Sequence, residues 1–191
     1  MTALPAGPII RFADLSPSPW LNGGGRTVEL ASGASGAAAG QAPGDGGWDW
    51  RLSLADVDRP APFSHLPGIR RILTVVDGGP LDLTVGGVRH RVERHRPFAF
   101  DGGARTVPGL PAGPVRNLNL MLRPASAQGS VAIIPLTESR PVGLRGFQLA
   151  VLLDGGAAAA GHQLAQFDTV IGGPGVETVT GRGQLALIDV A

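Results

Sequence analysis

The sequence contains no cysteine. Disulfides and thiolate metal sites are therefore excluded. Lysine is absent as well: all 16 basic residues are arginines, scattered along the chain rather than gathered into a stripe. A nucleic-acid binder would interleave a basic stripe with aromatics, and no such pattern occurs, so no nucleic-acid partner is expected. Charge is sparse at 16% and almost balanced at +1, while hydrophobic residues make up 43%. That mixture supports a core and excludes a disordered chain. No apolar run approaches the roughly 20 residues that cross a bilayer. Residues 1–10 lack a basic region followed by a long apolar stretch, so no signal peptide is expected and the expected location is cytoplasmic, without a membrane partner.

What the chain has in excess is glycine and proline, 30 and 17 residues. Helical periodicity is scarce. Short apolar or alternating runs lie between turn signals, at 26–31, 48–55, 69–76, 81–85, 88–93, 115–123, 131–136, 147–153 and 184–190. This is the pattern of an all-β sandwich or barrel. Gly78-Gly79 and Gly86-Gly87 are expected to link three strands into a meander. The segment 32–47, rich in glycine and alanine, is expected to be a flexible surface loop. A weak repeat is visible: Val76-Asp77-Gly78-Gly79, Phe98, Gly102-Gly103 and Thr106-Val107 recur as Leu153-Asp154-Gly155-Gly156, Phe167, Gly172-Gly173 and Thr178-Val179. It implies two copies of one barrel, each too small to bury a good core alone.

Side chains alternate across a strand. Trp48, Trp50, Leu52 and Leu54 share one face, and Asp49, Arg51 and Ser53 the other. Leu118, Leu120 and Leu122 lie opposite Asn117, Asn119, Met121 and Arg123. Two arrangements produce this pattern: a surface strand with its polar side to water, or a strand whose apolar face packs between layers while its polar face lines a pocket. In the second case Arg51 is an anion anchor, since a guanidinium holds a carboxylate bidentately.

Other signals are weaker. The stretch from Trp20 to Thr27, with Asn22 and three glycines, is either a turn entering a strand or a ligand-shaping loop; it lacks the lysine and helix of a phosphate cradle. Ser64-His65 has no carboxylate partner and does not read as a nucleophile pair. His90, Glu93 and His95 fall on opposite faces of a strand and are interleaved with Arg89, Arg91, Arg94 and Arg96. That surrounding is poor for a cation, so no metal is expected. His162 stands alone and reads as polar packing at a strand edge.

Four blocks carry a resemblance. Trp20-Leu21-Asn22-Gly23-Gly24-Gly25-Arg26-Thr27-Val28-Glu29-Leu30 resembles the opening motif of the HutD/Ves family, and Trp50 to Val57 resembles its next block. Pro62-Phe63-Ser64-His65-Leu66-Pro67-Gly68-Ile69-Arg70-Arg71 is similar to the family's GPFS-x-FPG-x-x-R block, with Ala61 in place of glycine. Asn117 to Met121 is similar to DFNVM, with Asn117 in place of aspartate. The resemblance implies a bicupin: two small jelly-roll-like barrels, at 1–123 and 124–191, with strands able to cross between them. It also implies no metal set and no cofactor. The function it implies is binding of a small anionic metabolite, urocanate or a glutamate derivative, in tuning histidine utilisation. The residues for that pocket are Arg51 for a carboxylate, Asn22, Ser53, Ser64 and Asn119 for hydrogen bonds, and Trp20, Phe63 and Met121 as apolar walls. The alternatives are a metal-free isomerase-like enzyme and a protein-interaction module without a small ligand. Cupins commonly dimerise, so a homodimer is a candidate assembly.

Overall fold

The computed structural model describes residues 8–20, 23–34, 47–176 and 178–191. Their chain order is β1 (Ile9–Ile10), a single 3-10 turn (Phe12–Asp14), β2 (Ser18–Pro19), β3 (Gly25–Gly33), β4 (Trp50–Val57), β5 (Arg70–Asp77), β6 (Leu81–Val85), β7 (Val88–Val92), β8 (Phe98–Asp101) and β9 (Thr106–Gly109). There follow β10 (Val115–Leu122), β11 (Gly129–Leu136), β12 (Val142–Gly143), β13 (Leu149–Ala159), β14 (His162–Leu164), β15 (Thr169–Ile171) and β16 (Thr178–Val190). The all-β expectation holds. Of the expected loop at 32–47, Ser32 and Gly33 belong to β3, and residues 35–46 lie outside the described ones.

Three sheets form, and all their strand pairs are antiparallel. A six-stranded sheet runs β2-β3-β4-β10-β5-β8 and faces a three-stranded sheet β7-β6-β9. Between them lies a core built on Leu73, Val75, Leu81, Leu83, Val92 and Phe100. The third sheet, seven-stranded, runs β1-β15-β13-β16-β11 with β12 on β16 and β14 on β13. It encloses its own core around Leu136, Leu152, Leu164, Val170 and Leu185. Strand β1 comes from the start of the chain yet pairs with β15, Ile9 opposite Val170.

A third core joins the two halves. The apolar faces of β4 and β10, with Trp50, Leu52, Leu54, Leu118, Leu120 and Leu122, pack against Leu149, Val151, Leu153 and Ile188 of the seven-stranded sheet. Each such leucine contributes about 1.5–3 kcal/mol by leaving water. The alternation seen in the sequence is thereby explained: one face of β4 and β10 is committed to this seam. Polar groups clamp its margin. Arg116 of β10 hydrogen-bonds Asp56 through Nε and Nη2 and lies over the rings of Phe12 and Phe167, 5.7 and 5.1 Å from their centroids. Arg11 reaches buried Asp168 at 2.7 Å.

The expected meander needs correction. Gly86-Gly87 is a true two-residue turn between β6 and β7, both glycines at positive φ, 57° and 89°, as a type I′ hairpin requires. Gly78-Gly79 is not a hairpin. It carries the chain from the six-stranded to the three-stranded sheet, because β5 pairs with β10 and β8 whereas β6 pairs with β7 and β9. At its counterpart in the second half, Gly155 has φ +88°, and a Cβ there would lie 2.1 Å from the Arg182 carbonyl oxygen. There the strand does not break: β13 runs on through the corner, with a register shift between Leu152 and Asp154.

Candidate functional site

The second face of β4, β5 and β10 points into the first barrel. Cross-strand register sets the side chains in rows: Arg51, Met121 and Arg71; then Ser53, Asn119 and Leu73; then Ala55, Asn117 and Val75. Facing residues in such rows lie about 4.5–5.5 Å apart at Cβ. The lower rows meet the apolar core. The upper rows form a polar patch inside a barrel.

Arg71 dominates the patch. The residue is 6% exposed. Its guanidinium carbon lies over two phenyl rings, 4.9 Å from the centroid of Phe63 and 5.2 Å from that of Phe100. Phe100 is its direct neighbour on β8. Phe63 comes from the loop before β5, held by its N–H donating to the Thr106 carbonyl. Trp20 meets Phe63 edge-on at 5.8 Å and donates its indole N–H to Thr27 Oγ1 at 2.7 Å. Among the described residues no carboxylate forms an ion pair with Arg71, and its buried Nε has no hydrogen-bond partner. Burial alone pushes its pKa down, to about 10. It remains a cation at neutral pH, desolvated and without a counter-charge.

More buried atoms on the same face lack partners: Ser53 Oγ and Asn119 Oδ1 in the row next to Arg71, and Asn117 Oδ1 one row further along β10. Asn117 uses its amide N–H on the Ala55 carbonyl at 3.2 Å. An unpaired buried polar atom is destabilising by about 1–3 kcal/mol. One unpaired donor group and three unpaired acceptors on the inner wall of one barrel form a concentration that packing does not explain.

The expected site residues divide accordingly. Ser53 and Asn119 lie in the patch, and Met121, partly exposed, is beside Arg71 in register. Phe63 touches the Arg71 guanidinium directly, and Trp20 buttresses Phe63. Arg51 is not a free cation: its Nε lies 2.6 Å from Glu29 Oε2, and its side chain is 30% exposed. The angle is too poor for a hydrogen bond, so this is an ion pair alone. Ser64 is exposed on the loop beside Phe63, and Asn22 lies outside the described residues. Arg71 and Phe100 were not singled out in the sequence. Arg71, not Arg70, occupies the arginine position of the GPFS-x-FPG-x-x-R block, and that spacing was the signal that could have found it.

His90, Glu93 and His95 do not converge. His90 packs on Phe98 with ring centroids 4.8 Å apart, Glu93 pairs with Arg91, and the His95 backbone N–H donates to the Val75 carbonyl. Among the described residues no three His, Cys, Asp or Glu side chains are grouped to hold a metal. A surface hollow of about 350 Å3 beside Ile69, Arg70, Ala99 and Asp101 shares only Phe100 with the barrel interior. It lies on the outer side of β5 and β8, away from the unpaired polar atoms.

The second barrel shows what the patch replaces. The Gly102 N–H donates to the Ile69 carbonyl, and the Gly172 N–H donates in the same way to that of Gln148. Counting from these two bonds places Ala150 at the position of Arg71. The register agrees: Arg71 faces Phe100 and Met121, and Ala150 faces Val170 and Leu187. The same count puts Leu185 where the first barrel has Asn119, and Ile134 where it has Ser53. One barrel is filled with aliphatic side chains, and its twin carries polar groups at the matching positions.

Two jelly-roll-like barrels packed through a shared apolar seam define a bicupin. The fold recurs in a cupin 2 conserved barrel domain protein from Leptotrichia buccalis, with a TM-score of 0.55 over 100% of both chains at 11% identity. The family model described as HutD matches residues 12–187, and the chain belongs to that family. The structure of HutD from Pseudomonas fluorescens SBW25 (formate condition) is 29% identical, with a TM-score of 0.77 over 96% of this chain and 97% of that one. An uncharacterized 21.2 kDa protein in the hutC 3′ region of Pseudomonas putida is 34% identical over 117 residues, 61% of this chain and 58% of that protein. The chain thus matches less than two thirds of that relative's length. Relatives also include a protein named Ves from Cronobacter sakazakii, 30% identical over 133 residues, 67% of this chain and 68% of that protein.

Proposed function

We propose that this HutD-family bicupin binds a small carboxylate metabolite inside its first barrel and thereby tunes histidine utilisation. The observation that carries the reading is Arg71, a buried guanidinium without a carboxylate partner among the described residues, held over the rings of Phe63 and Phe100. A guanidinium offers a planar fork of N–H donors that matches a carboxylate bidentately. A buried unpaired charge is strongly unfavourable, and a bound carboxylate relieves that. The anchor is therefore Arg71; Arg51, neutralised by Glu29, stands at its side. Ser53, Asn117 and Asn119 offer acceptors, so the favoured ligand carries an N–H or O–H near its carboxylate. Urocanate and N-formyl or N-formimino glutamate have that chemistry. The placement of the Pseudomonas putida relative in a hutC 3′ region supports the metabolic assignment.

The test is a thermal-shift titration of dialysed protein with these acids, comparing wild type, Arg71→Met and Arg51→Ala. A ligand at a hundredfold excess over its Kd stabilises the native state by about 2.7 kcal/mol. One acid should raise the wild-type melting temperature, lose its effect in Arg71→Met and keep most of it in Arg51→Ala. Equal shifts in wild type and Arg71→Met would remove Arg71 from the site. No shift with any acid would move the function to a protein partner.

A further inference from the structure

We infer that His90 is a second contact for the ligand, so that the site selects a dicarboxylate over a monocarboxylate; this rests on the reading of Arg71 as the carboxylate anchor. On β7, His90 shares a face with Val92, which is buried in the core of the first barrel, and in register it faces Leu83 of the same core. His90 therefore looks inward, while Arg89 and Arg91 look out. Its ring sits on Phe98, Phe98 stacks on Phe100 at 5.9 Å, and Phe100 covers the Arg71 guanidinium. A continuous aromatic wall thus joins the two basic groups.

The position is also an opening. Strand β8 ends the six-stranded sheet and β7 ends the three-stranded one. His90 and Phe98 touch across that join, where no ladder closes the barrel, and both are only partly buried. Neither imidazole nitrogen of His90 has a hydrogen-bond partner among the described residues. Four arginines, at 89, 91, 94 and 96, surround the join in sequence, and two of them are offset by Asp82 and Glu93. A ligand with one carboxylate on Arg71 and its chain along Phe100 and Phe98 brings its far end to His90.

The experiment is calorimetric titration of the full chain with paired acids of matched length: butyrate against glutarate, and hexanoate against adipate. The variants are His90→Phe, which keeps the ring contact to Phe98 but has no ring nitrogen, His90→Gln, which restores a hydrogen-bonding group, and Arg71→Met. Wild type should bind one dicarboxylate about tenfold or more tightly than its monocarboxylate, the scale of a hydrogen bond to a charged group. In His90→Phe that preference should vanish with monocarboxylate affinity unchanged, and His90→Gln should recover part of it. Arg71→Met should lose both acids. A preference that survives in His90→Phe, or no preference in wild type while monocarboxylates still bind through Arg71, overturns the role of His90 and leaves the anchor standing. Binding that survives in Arg71→Met overturns the anchor itself, and the selectivity with it.

Discussion

Replacing Arg71 with methionine should make the ligand-free protein more stable. Burial holds the guanidinium at a pKa of about 10, well below its ordinary value, a difference worth about 3 kcal/mol against the folded state. The two phenyl contacts offset part of this, at about 0.5–1 kcal/mol each. Methionine is apolar, similar in length and adaptable in shape, so it can fill the space beside Phe63 and Phe100. The net expectation is a gain of about 1–2 kcal/mol, or about 2–8 °C in Tm for a chain of this size.

The pH dependence has a definite sign. A cation whose folded pKa is depressed carries its full penalty wherever both states are protonated, which is everywhere below about pH 10. Stability recovers only as pH rises through that value toward the unfolded one. The advantage of Arg71→Met should therefore be flat from pH 5 to pH 9. Differential scanning calorimetry of exhaustively dialysed wild type and variant measures it. A variant clearly less stable than wild type at every pH would mean that Arg71 has a native partner and is not waiting for one.

Two other substitutions probe the framework. Asp56 lies beside Arg116 and Arg26; burial raises its pKa, but the hydrogen bonds from both arginines outweigh this and hold it below the usual carboxylate range. The stability it supplies is present above its unfolded pKa and is lost as pH falls through the folded one, so urea denaturation should show Asp56→Asn weaker by about 1–3 kcal/mol at pH 7, with the gap closing below about pH 4. Exchanging matched positions of the two barrels should act in opposite directions: Leu185→Asn, at a residue with 0% exposure, should lose about 3–5 kcal/mol, whereas Asn119→Leu should be neutral or stabilising in chemical denaturation and should weaken acid binding.

How far the sequence shows this molecule depends on whether a signal is local. The alternation in β4 and β10 is local. It identified the leucine faces that form the seam and the polar faces that carry Ser53 and Asn119. The turn at Gly86-Gly87 is local too, since two positive-φ residues between matched strands define a hairpin. Gly78-Gly79 looked equally like a turn, yet it is a switch between sheets, and its repeat counterpart Gly155-Gly156 lies within β13, because the course of the chain there is set by which strands it pairs with. Strands β8 and β9 are short and carry an aspartate or a proline and a glycine, and β15 is only three residues long, so none of them stands out. The burial of Arg71 was hidden for a related reason. The phase of β5 against β10 and β8 turns Arg70 outward and buries Arg71; the spacing of the Pro62–Arg71 block singles out Arg71 but says nothing of its burial.

The duplication provides an internal control on the site that no single barrel could. Both halves share a corner glycine, the loop that receives a glycine N–H, and the long pair of strands that face each other across the seam. Given that shared backbone, the cheapest interior is aliphatic, and the second barrel has it, with Ala150, Leu152 and Leu185 fully buried. The first barrel departs from it at matched positions, with Arg71, Ser53 and Asn119, while β5 keeps its aliphatic filling at Leu73 and Val75. Nothing about folding requires that departure, since the twin folds without it. A polar set on matched positions of one of two equivalent interiors, centred on a cation with no counter-charge among the described residues, is the pattern expected of the ligand site proposed for Arg71, since a site held for binding is kept against the stability of the barrel that contains it.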